Sequence, residues 1–115
     1  MNKNECINGT KRTREQMLAE CVRLCQNDSN INRLILFGSV AKGTDTEDSD
    51  IDLCIDTTYD IHDRGLFLIS AEIEKACGFA CDLLIYNYLS GSIKQEVDTN
   101  GMVLYDHSVQ PIMTV

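Results

Sequence analysis

Apolar residues recur along the chain at two spacings, and each spacing predicts a type of element. Over residues 14–26 they recur every three or four positions, which predicts an amphipathic helix. Its apolar face comprises Met17, Leu18, Cys21, Val22, Leu24 and Cys25. Thr13 followed by Gln16 is typical of a capping box at the start of a helix, and the polar run 27–30 ends it. The first element is therefore a helix that packs on a core.

Three later segments have strand patterns. Residues 34–37 are wholly apolar, as in a buried strand, and residues 50–56 alternate with a period of two. A long helix over residues 61–77, with Asp60 as its cap, leads to a third strand over residues 81–86.

The last part of the chain predicts one more helix and one more extended segment. The helix begins at Ser90 or Ser92 and ends at Asn100, before a glycine. A short strand over residues 102–105 follows, and a loose tail over residues 107–115 contains the only proline.

Composition indicates one small domain spanning residues 1–115. The net charge is −8, and it is uneven: residues 1–42 contain seven Lys and Arg against four Asp and Glu, and residues 43–115 contain three against fourteen. Such an acidic chain is a poor general binder of nucleic acid, but clustered acids suit a bound cation. No apolar run is long enough for a membrane span, and residues 1–13 show no secretory signal. We therefore expect a cytoplasmic protein.

The six cysteines are expected to stay reduced in that compartment. Cys21 and Cys25, like Cys77 and Cys81, are four residues apart, which is not the spacing of a zinc knuckle. We interpret Cys21 and Cys25 as small core residues of the first helix.

The residues with the clearest chemistry are Asp50 and Asp52. They lie two apart on a predicted strand, so both carboxylates point to the same face. Two such carboxylates repel each other unless a cation intervenes, and Mg²⁺ commonly uses one or two carboxylates together with substrate phosphates. Alone this signal is weak. It follows Gly38-Ser39, however, where the backbone and a hydroxyl can approach a phosphate.

Gly-Ser, ten residues and then Asp-x-Asp should occur by chance on the order of 0.002 times in a chain of this length. Phe37-Gly38-Ser39-Val40-Ala41-Lys42-Gly43 and Ser49-Asp50-Ile51-Asp52-Leu53 together resemble the signature of the minimal nucleotidyltransferases (MNT) of the polymerase-β-like superfamily. Cys81-Asp82-Leu83-Leu84-Ile85 and Gly101-Met102-Val103-Leu104-Tyr105 resemble the later segments of that branch. The resemblance covers about residues 33–106, which we take as the core of a nucleotidyltransferase domain.

The geometry of the strands agrees with this resemblance. Ser39 ends the first strand and Asp50 begins the second, so they meet only if these strands are antiparallel. Asp82 begins the third strand, which should be parallel to the second, with the helix over residues 61–77 as the crossover. The expected fold is therefore α/β (α+β), a mixed sheet with flanking helices.

The resemblance implies an enzyme, a phosphorus-group transferase that uses Mg²⁺, or Mn²⁺ as an alternative. Asp50, Asp52 and Asp82 would be its catalytic and metal-binding residues, and Asp82 would also act as a base. Gly38, Ser39, Lys42 and Ser49 would contact a nucleoside triphosphate, ATP in the first place. From spacing alone Asp82 is more often a surface acid at a strand start, and Lys42 could equally be a solvated lysine.

The resemblance also implies a partner, because MNT domains occur with HEPN-domain toxins as antitoxins that add AMP to a toxin tyrosine. Two alternatives stay open: a non-catalytic binding module, and a transferase for a small molecule such as an aminoglycoside. Whether the chain forms a homo-oligomer is also open. We expect Lys11, Arg12, Arg14 and Arg23 to form a basic docking surface, and Asp45, Glu47 and Asp48 to be solvated loop charges.

Overall fold

A four-stranded mixed β-sheet forms the centre of the computed structural model, which describes residues 13–46, 49–59, 63–78 and 81–108. The strands are β1 (Ile31–Phe37), β2 (Ile51–Thr57), β3 (Cys81–Ile85) and β4 (Met102–Asp106). The helices are α1 (Arg14–Gln26), α2 (Gly38–Lys42), α3 (Asp63–Ala76) and α4 (Gly91–Asn100). Across the sheet the strand order is β3-β2-β1-β4.

The directions of β1, β2 and β3 are those that the sequence predicts. Strand β1 pairs antiparallel with both β2 and β4, and β2 pairs parallel with β3. The end of β1 therefore lies beside the starts of β2 and β3, at one edge of the sheet. Helix α3 makes the crossover between the two parallel strands, as such a connection requires.

Helix α1 has the predicted bounds and the predicted cap. The Thr13 hydroxyl accepts a hydrogen bond from the Gln16 N–H at 3.1 Å, and the Gln16 side chain accepts one from the Thr13 N–H at 2.8 Å. These two bonds satisfy backbone donors that a helix start leaves without partners. Cys21 and Cys25 are fully buried, so their interpretation as core residues is confirmed.

The larger core lies between one face of the sheet and helices α1 and α3. Apolar residues of β1 and β2 meet the buried faces of both helices there. Its fully buried members include Cys21, Cys25, Leu34, Leu53, Ile55 and Ile73. Burial raises the pKa of the Cys25 thiol to about 12, so this thiol stays neutral and packs as an apolar group. The layer anchors α1 and α3 to the strands that form the site.

Helix α4 covers the opposite face of the sheet. Its buried Val97 packs on a smaller cluster formed by Ile35, Phe37 and Cys54. Since side chains alternate between faces along a strand, Asp52 and Asp56 share this face with Cys54. The acidic residues of β2 thus lie on the side of the sheet that α4 only partly covers.

A polar network fastens α4 to this face. Arg33 pairs with Asp56 at 2.8 Å, and its guanidinium lies 4.8 Å from the centre of the Tyr86 ring. The Tyr86 hydroxyl donates to Asp98 at 2.7 Å, and Lys94 also pairs with Asp98, at 3.0 Å. Asp56 is therefore engaged in a structural ion pair, away from Asp50 and Asp52.

Several element boundaries differ from the sequence-based prediction, including the start of β2, which leaves Asp50 just ahead of the strand. Two of these differences are explained by contacts between distant residues. Strand β1 begins at Ile31, earlier than predicted, because Ile31 pairs with Thr57 and is buried. Strand β3 ends at Ile85, and Tyr86–Tyr88 form a 3₁₀ turn. The reason is Asn87, whose side chain accepts from the Thr57 N–H at 3.1 Å and donates to the Thr57 carbonyl at 2.9 Å.

Some predictions concern residues outside the described ranges. The cap at Asp60 and the tail beyond residue 108 are among them. Within the described ranges, no helix is both long and apolar enough to cross a membrane.

Candidate active site

Gly38 lies at the end of β1 in direct proximity to Asp52. Phe37, the residue before it, pairs with Asp52 across the β1–β2 ladder. The φ angle of Gly38 is +75°, a conformation that favours glycine. A Cβ atom at this position would lie 2.2 Å from a carboxylate oxygen of Asp52. Glycine is therefore required here both by its backbone angle and by the carboxylate beside it.

The three predicted carboxylates meet at this edge of the sheet. Asp52 and Asp82 are direct partners in the parallel β2–β3 ladder, so their side chains project on the same face. Asp50 lies two residues before Asp52, immediately ahead of β2. Asp50 and Asp82 are exposed, whereas Asp52 is half-buried. A substrate can reach this group of acids from solvent.

The electrostatics of Asp52 reflect this crowding. Burial raises the pKa of Asp52 above its ordinary value, and repulsion from Asp82 and then Asp50 raises it further. A bound cation would remove the repulsion, so hard oxygen donors in this arrangement fit a divalent ion such as Mg²⁺. Within the ranges that the structure describes, no three His, Cys, Asp or Glu side chains already form a metal-binding group. Mg²⁺ in proteins is commonly coordinated by one or two carboxylates together with the phosphate oxygens of a substrate.

Ser39 follows Gly38 at the same edge, in the five-residue helix α2. The Ser39 carbonyl accepts from the Thr44 N–H at 3.0 Å, and Gly43, with a positive φ of 74°, caps the end of the helix after Lys42. This closed turn presents the start of α2 toward the edge where Asp52 lies. The structure thus brings Gly38 and Ser39 together with the acids.

Lys42, at the end of α2, is directed to helix α4. Its ammonium pairs with Glu96 at 2.9 Å, and this contact is the main cause that lowers the pKa of Glu96. The predicted contact between Lys42 and a phosphate stays a prediction, and it would compete with this ion pair.

The turn that leads to Asp50 is held by Arg14, which sequence reasoning did not place at the site. The Arg14 guanidinium pairs with Asp45 and donates to the carbonyls of Thr46 at 2.9 Å and Ser49 at 2.8 Å. Ser49 in turn accepts the Thr46 N–H on its hydroxyl at 2.9 Å. The nucleotide contact predicted for Ser49 stays a prediction, while its observed hydrogen bond closes this turn.

These contacts correct one expectation: Asp45 is not a solvated loop charge, since it pairs with Arg14. The basic docking surface stays a prediction, and two of its residues form ion pairs in the structure, Arg14 with Asp45 and Arg23 with Glu20. Lys11 and Arg12 lie outside the described ranges.

The mixed sheet with its flanking helices is the fold of a nucleotidyltransferase domain. The family model for the polymerase beta nucleotidyltransferase domain matches residues 19–110, and the chain belongs to this family. The resemblance found in the motifs and the class of enzyme that it implies are thereby confirmed. A search of curated proteins found none that matches the chain.

Solved structures with the same fold include toxin–antitoxin complexes. A chain of a toxin–antitoxin crystallised with AMP-PNP is 23% identical with a TM-score of 0.66, and the match covers 82% of this chain and 74% of that one. A chain of the Shewanella oneidensis complex of a tri-AMPylated HEPN toxin with an MNT antitoxin is 21% identical with a TM-score of 0.58, covering 80% and 69%. A proposed minimal nucleotidyltransferase is 25% identical with a TM-score of 0.63, covering 77% and 89%. These likenesses confirm the mixed-sheet nucleotidyltransferase fold.

Proposed function

We propose that this chain transfers AMP from Mg²⁺-bound ATP to a hydroxyl group of a partner protein. The observation that supports the proposal most is the contact between Gly38 and the Asp52 carboxylate at the edge where Asp82 pairs with Asp52. This contact places a turn without a side chain, suited to phosphate, against a half-buried acid beside two exposed ones. Such an arrangement serves a phosphate-bound cation and has no evident use in a protein that only covers its partner.

Each residue has a role in this proposal. Asp50 and Asp52 hold the cation, and the hydroxyl and N–H of Ser39 donate to phosphate oxygens. When bound, Mg²⁺ would neutralise the phosphate charge that develops during transfer, in the manner of two-metal enzymes. Asp82 accepts the proton of the acceptor hydroxyl. The acceptor oxygen then forms a bond to the α-phosphorus, the bond from this phosphorus to the bridging oxygen breaks, and pyrophosphate leaves.

The nature of the substrates is supported by the neighbours and by the exposure of the site. One neighbour was crystallised with AMP-PNP, and another complex contains a HEPN toxin that carries AMP groups. Asp50 and Asp82 are exposed, so a hydroxyl on a loop or tail of another protein can approach them. We therefore propose a HEPN-type partner in the cytoplasm, with a tyrosine as acceptor and this chain as its antitoxin.

Intact-mass spectrometry of a HEPN-type partner tests this proposal. After incubation with this chain and Mg·ATP, the partner should gain one or more AMP units. The Asp50→Asn/Asp52→Asn variant should add none, because it lacks the two carboxylates proposed to hold the cation. A matched control, Glu72→Gln with Glu74→Gln, removes two exposed acids of α3 from outside the site and should leave the transfer intact.

The outcomes separate the alternatives. A partner that binds tightly but gains no mass with any of the four triphosphates would favour a non-catalytic binding module. Transfer to an aminoglycoside and not to the protein would favour a small-molecule enzyme. Equal transfer by the double variant and the wild type would overturn the assignment of the site.

A further inference from the structure

We propose that Arg14 is a positioning residue of the active site, which sets the place of Asp50 by holding the turn in front of it. This inference rests on the proposed function, because it concerns the same metal–nucleotide site. We call residues 44–49 the acidic turn, of which the structure describes residues 44–46 and 49. Arg14 comes from α1, 36 positions before Asp50 in the chain.

The contacts of Arg14 grip both ends of the acidic turn. On the entry side its guanidinium pairs with the Asp45 carboxylate and donates to the Thr46 carbonyl at 2.9 Å. On the exit side it donates to the Ser49 carbonyl at 2.8 Å, in the residue directly before Asp50. The two sides are also tied to each other, since the Ser49 N–H donates to the Thr46 carbonyl at 3.1 Å.

The charge of the acidic turn explains why a cation is needed. The sequence from Gly43 to Asp63 contains no Lys or Arg, and it includes the acids Asp45, Glu47, Asp48, Asp50, Asp52 and Asp56. Like charges at this density repel one another and favour an open turn. A guanidinium from another element offsets that repulsion and also satisfies backbone carbonyls. One group thus stabilises both the charge and the shape of the turn.

Arg14 is mounted on a rigid support. It is the first residue of α1, directly after the Thr13 cap, and α1 is anchored in the core by Cys21 and Cys25. Its side chain is 29% exposed and that of Asp45 is 25% exposed, so the pair is partly shielded from water. Arginine suits this place because its planar fork reaches several oxygens at once, which the single ammonium of lysine does not.

The consequence concerns Asp50 more than Asp52. Asp52 is held within β2 by pairing with β1 and β3. Asp50 precedes the strand and follows the turn, so its backbone depends on what holds Ser49. Without Arg14, Asp52 would keep its place while Asp50 would lose its fixed distance from it. Residues that orient metal ligands typically change metal affinity by about 10–100-fold when they are removed.

The experiment compares Arg14→Gln and Arg14→Lys with the wild type. Calorimetry measures the Kd for Mg·ATP, and hydrogen exchange measures the amides of Thr46 and Ser49. We expect both variants to raise the Kd about 10-fold and to speed exchange at these amides, with the melting temperature largely kept. Arg14→Lys should fail to restore affinity, although it restores the charge. Arg23→Gln is the matched control, since it breaks an ion pair on the same helix, and its Kd should equal that of the wild type.

Each result decides between the positioning role and the proposed function. If the wild type binds Mg·ATP and Arg14→Gln binds it equally well, the positioning role is overturned and the proposed function stands. If the wild type does not bind Mg·ATP, the proposed function fails, and the role of Arg14 in it fails as well. Should Arg14→Gln not fold, Asp45→Asn takes its place, because it removes the ion pair and leaves both carbonyl contacts. We expect it to weaken binding about threefold, and an unchanged Kd would again overturn the positioning role.

Discussion

At the scale of single residues, the contact between Gly38 and Asp52 determines where one carboxylate of the site stands. Gly38 leaves open the space that a Cβ would occupy 2.2 Å from the Asp52 carboxylate. Asp52 is thereby able to lie against the turn where we propose that phosphate binds. The glycine of the Gly-Ser motif has a second role besides its backbone angle, which is to give room to the acid opposite.

Gly38→Ala should therefore lose both stability and nucleotide binding. Its left-handed φ costs about 1–2 kcal/mol for any residue with a Cβ, and the clash with Asp52 must in addition move the carboxylate or the turn. We expect at least a 10-fold weaker Kd for Mg·ATP by calorimetry, on the scale typical of disturbed metal ligands.

Gly43→Ala is the matched control for this prediction. Gly43 has almost the same φ, +74°, and a Cβ there would meet no atom within 4 Å. It should lose stability of about 1–2 kcal/mol but keep its affinity for Mg·ATP. Equal loss of affinity in both variants would show that the backbone angle matters and the contact with Asp52 does not.

At the scale of elements, helix α4 is connected both to the sheet and to helix α2. Arg33 and Tyr86 fasten α4 over the sheet through Asp98, as the cation–π contact and the hydrogen bond show. Glu96 reaches from α4 to Lys42 at the end of α2. The helix that covers one face of the sheet therefore also holds the cation nearest in sequence to the Gly-Ser turn.

Glu96→Gln tests whether this ion pair competes with a phosphate. If Lys42 contacts the triphosphate, as the sequence predicts, release from Glu96 should make binding of Mg·ATP about two- to fivefold tighter, as expected for an exposed pair. Calorimetry on Lys42→Ala/Glu96→Gln should show no such gain, because no ammonium is left to release.

Lys94→Gln provides a control for this element, since it breaks another ion pair of the same helix and keeps the bond between Tyr86 and Asp98. Its Kd for Mg·ATP should not change. If Glu96→Gln binds more weakly than the wild type, the ion pair orients Lys42 for the phosphate instead of restraining it.

At the scale of the whole molecule, the uneven distribution of charge lowers the stability of the folded state, because acids that repel one another are concentrated at the site. The chain carries −8 overall, with its acids concentrated after residue 42. The half-buried Asp52 lies among them, and its pKa is raised by burial and by its acidic neighbours. The folded protein therefore binds a proton at Asp52 more tightly than the unfolded chain does, and stability falls as pH rises through this pKa.

Asp52→Asn should consequently melt a few degrees higher than the wild type at pH 7 without divalent metal. The cost in the wild type is fully present above the raised pKa and disappears below the ordinary value for aspartate, about 3.9. Thermal melts between pH 7 and pH 4 should show the two curves converge as pH falls. A variant that is less stable than the wild type at pH 7 would mean that Asp52 makes a stabilising contact that outweighs the repulsion.

Much of this molecule could be predicted from its sequence, because the deciding interactions are local. The capping box of α1 joins residues three apart, and both of its hydrogen bonds are present. The alternation of β2 separates its buried apolar face from its acidic face. We predicted the strand directions from the condition that Ser39, Asp50 and Asp82 lie close together. The observed pairing, antiparallel for β1 with β2 and parallel for β2 with β3, agrees with that prediction. The mixed sheet and the family could therefore be predicted from the sequence.

Tertiary structure alone decided the contacts between residues far apart in sequence. Arg14 lies 31 positions from Asp45 in the chain. The local sequence around Arg14 explains the start of α1 through Thr13 and Gln16, and it gives no sign that Arg14 pairs with Asp45. The pairing of Lys42 with Glu96, the room that Gly38 leaves for Asp52, and the extension of β1 to Ile31 likewise depend on how elements pack. Local sequence determines the periodicity and caps of each element, whereas long-range ion pairs depend on side-chain geometry that arises only when the elements meet.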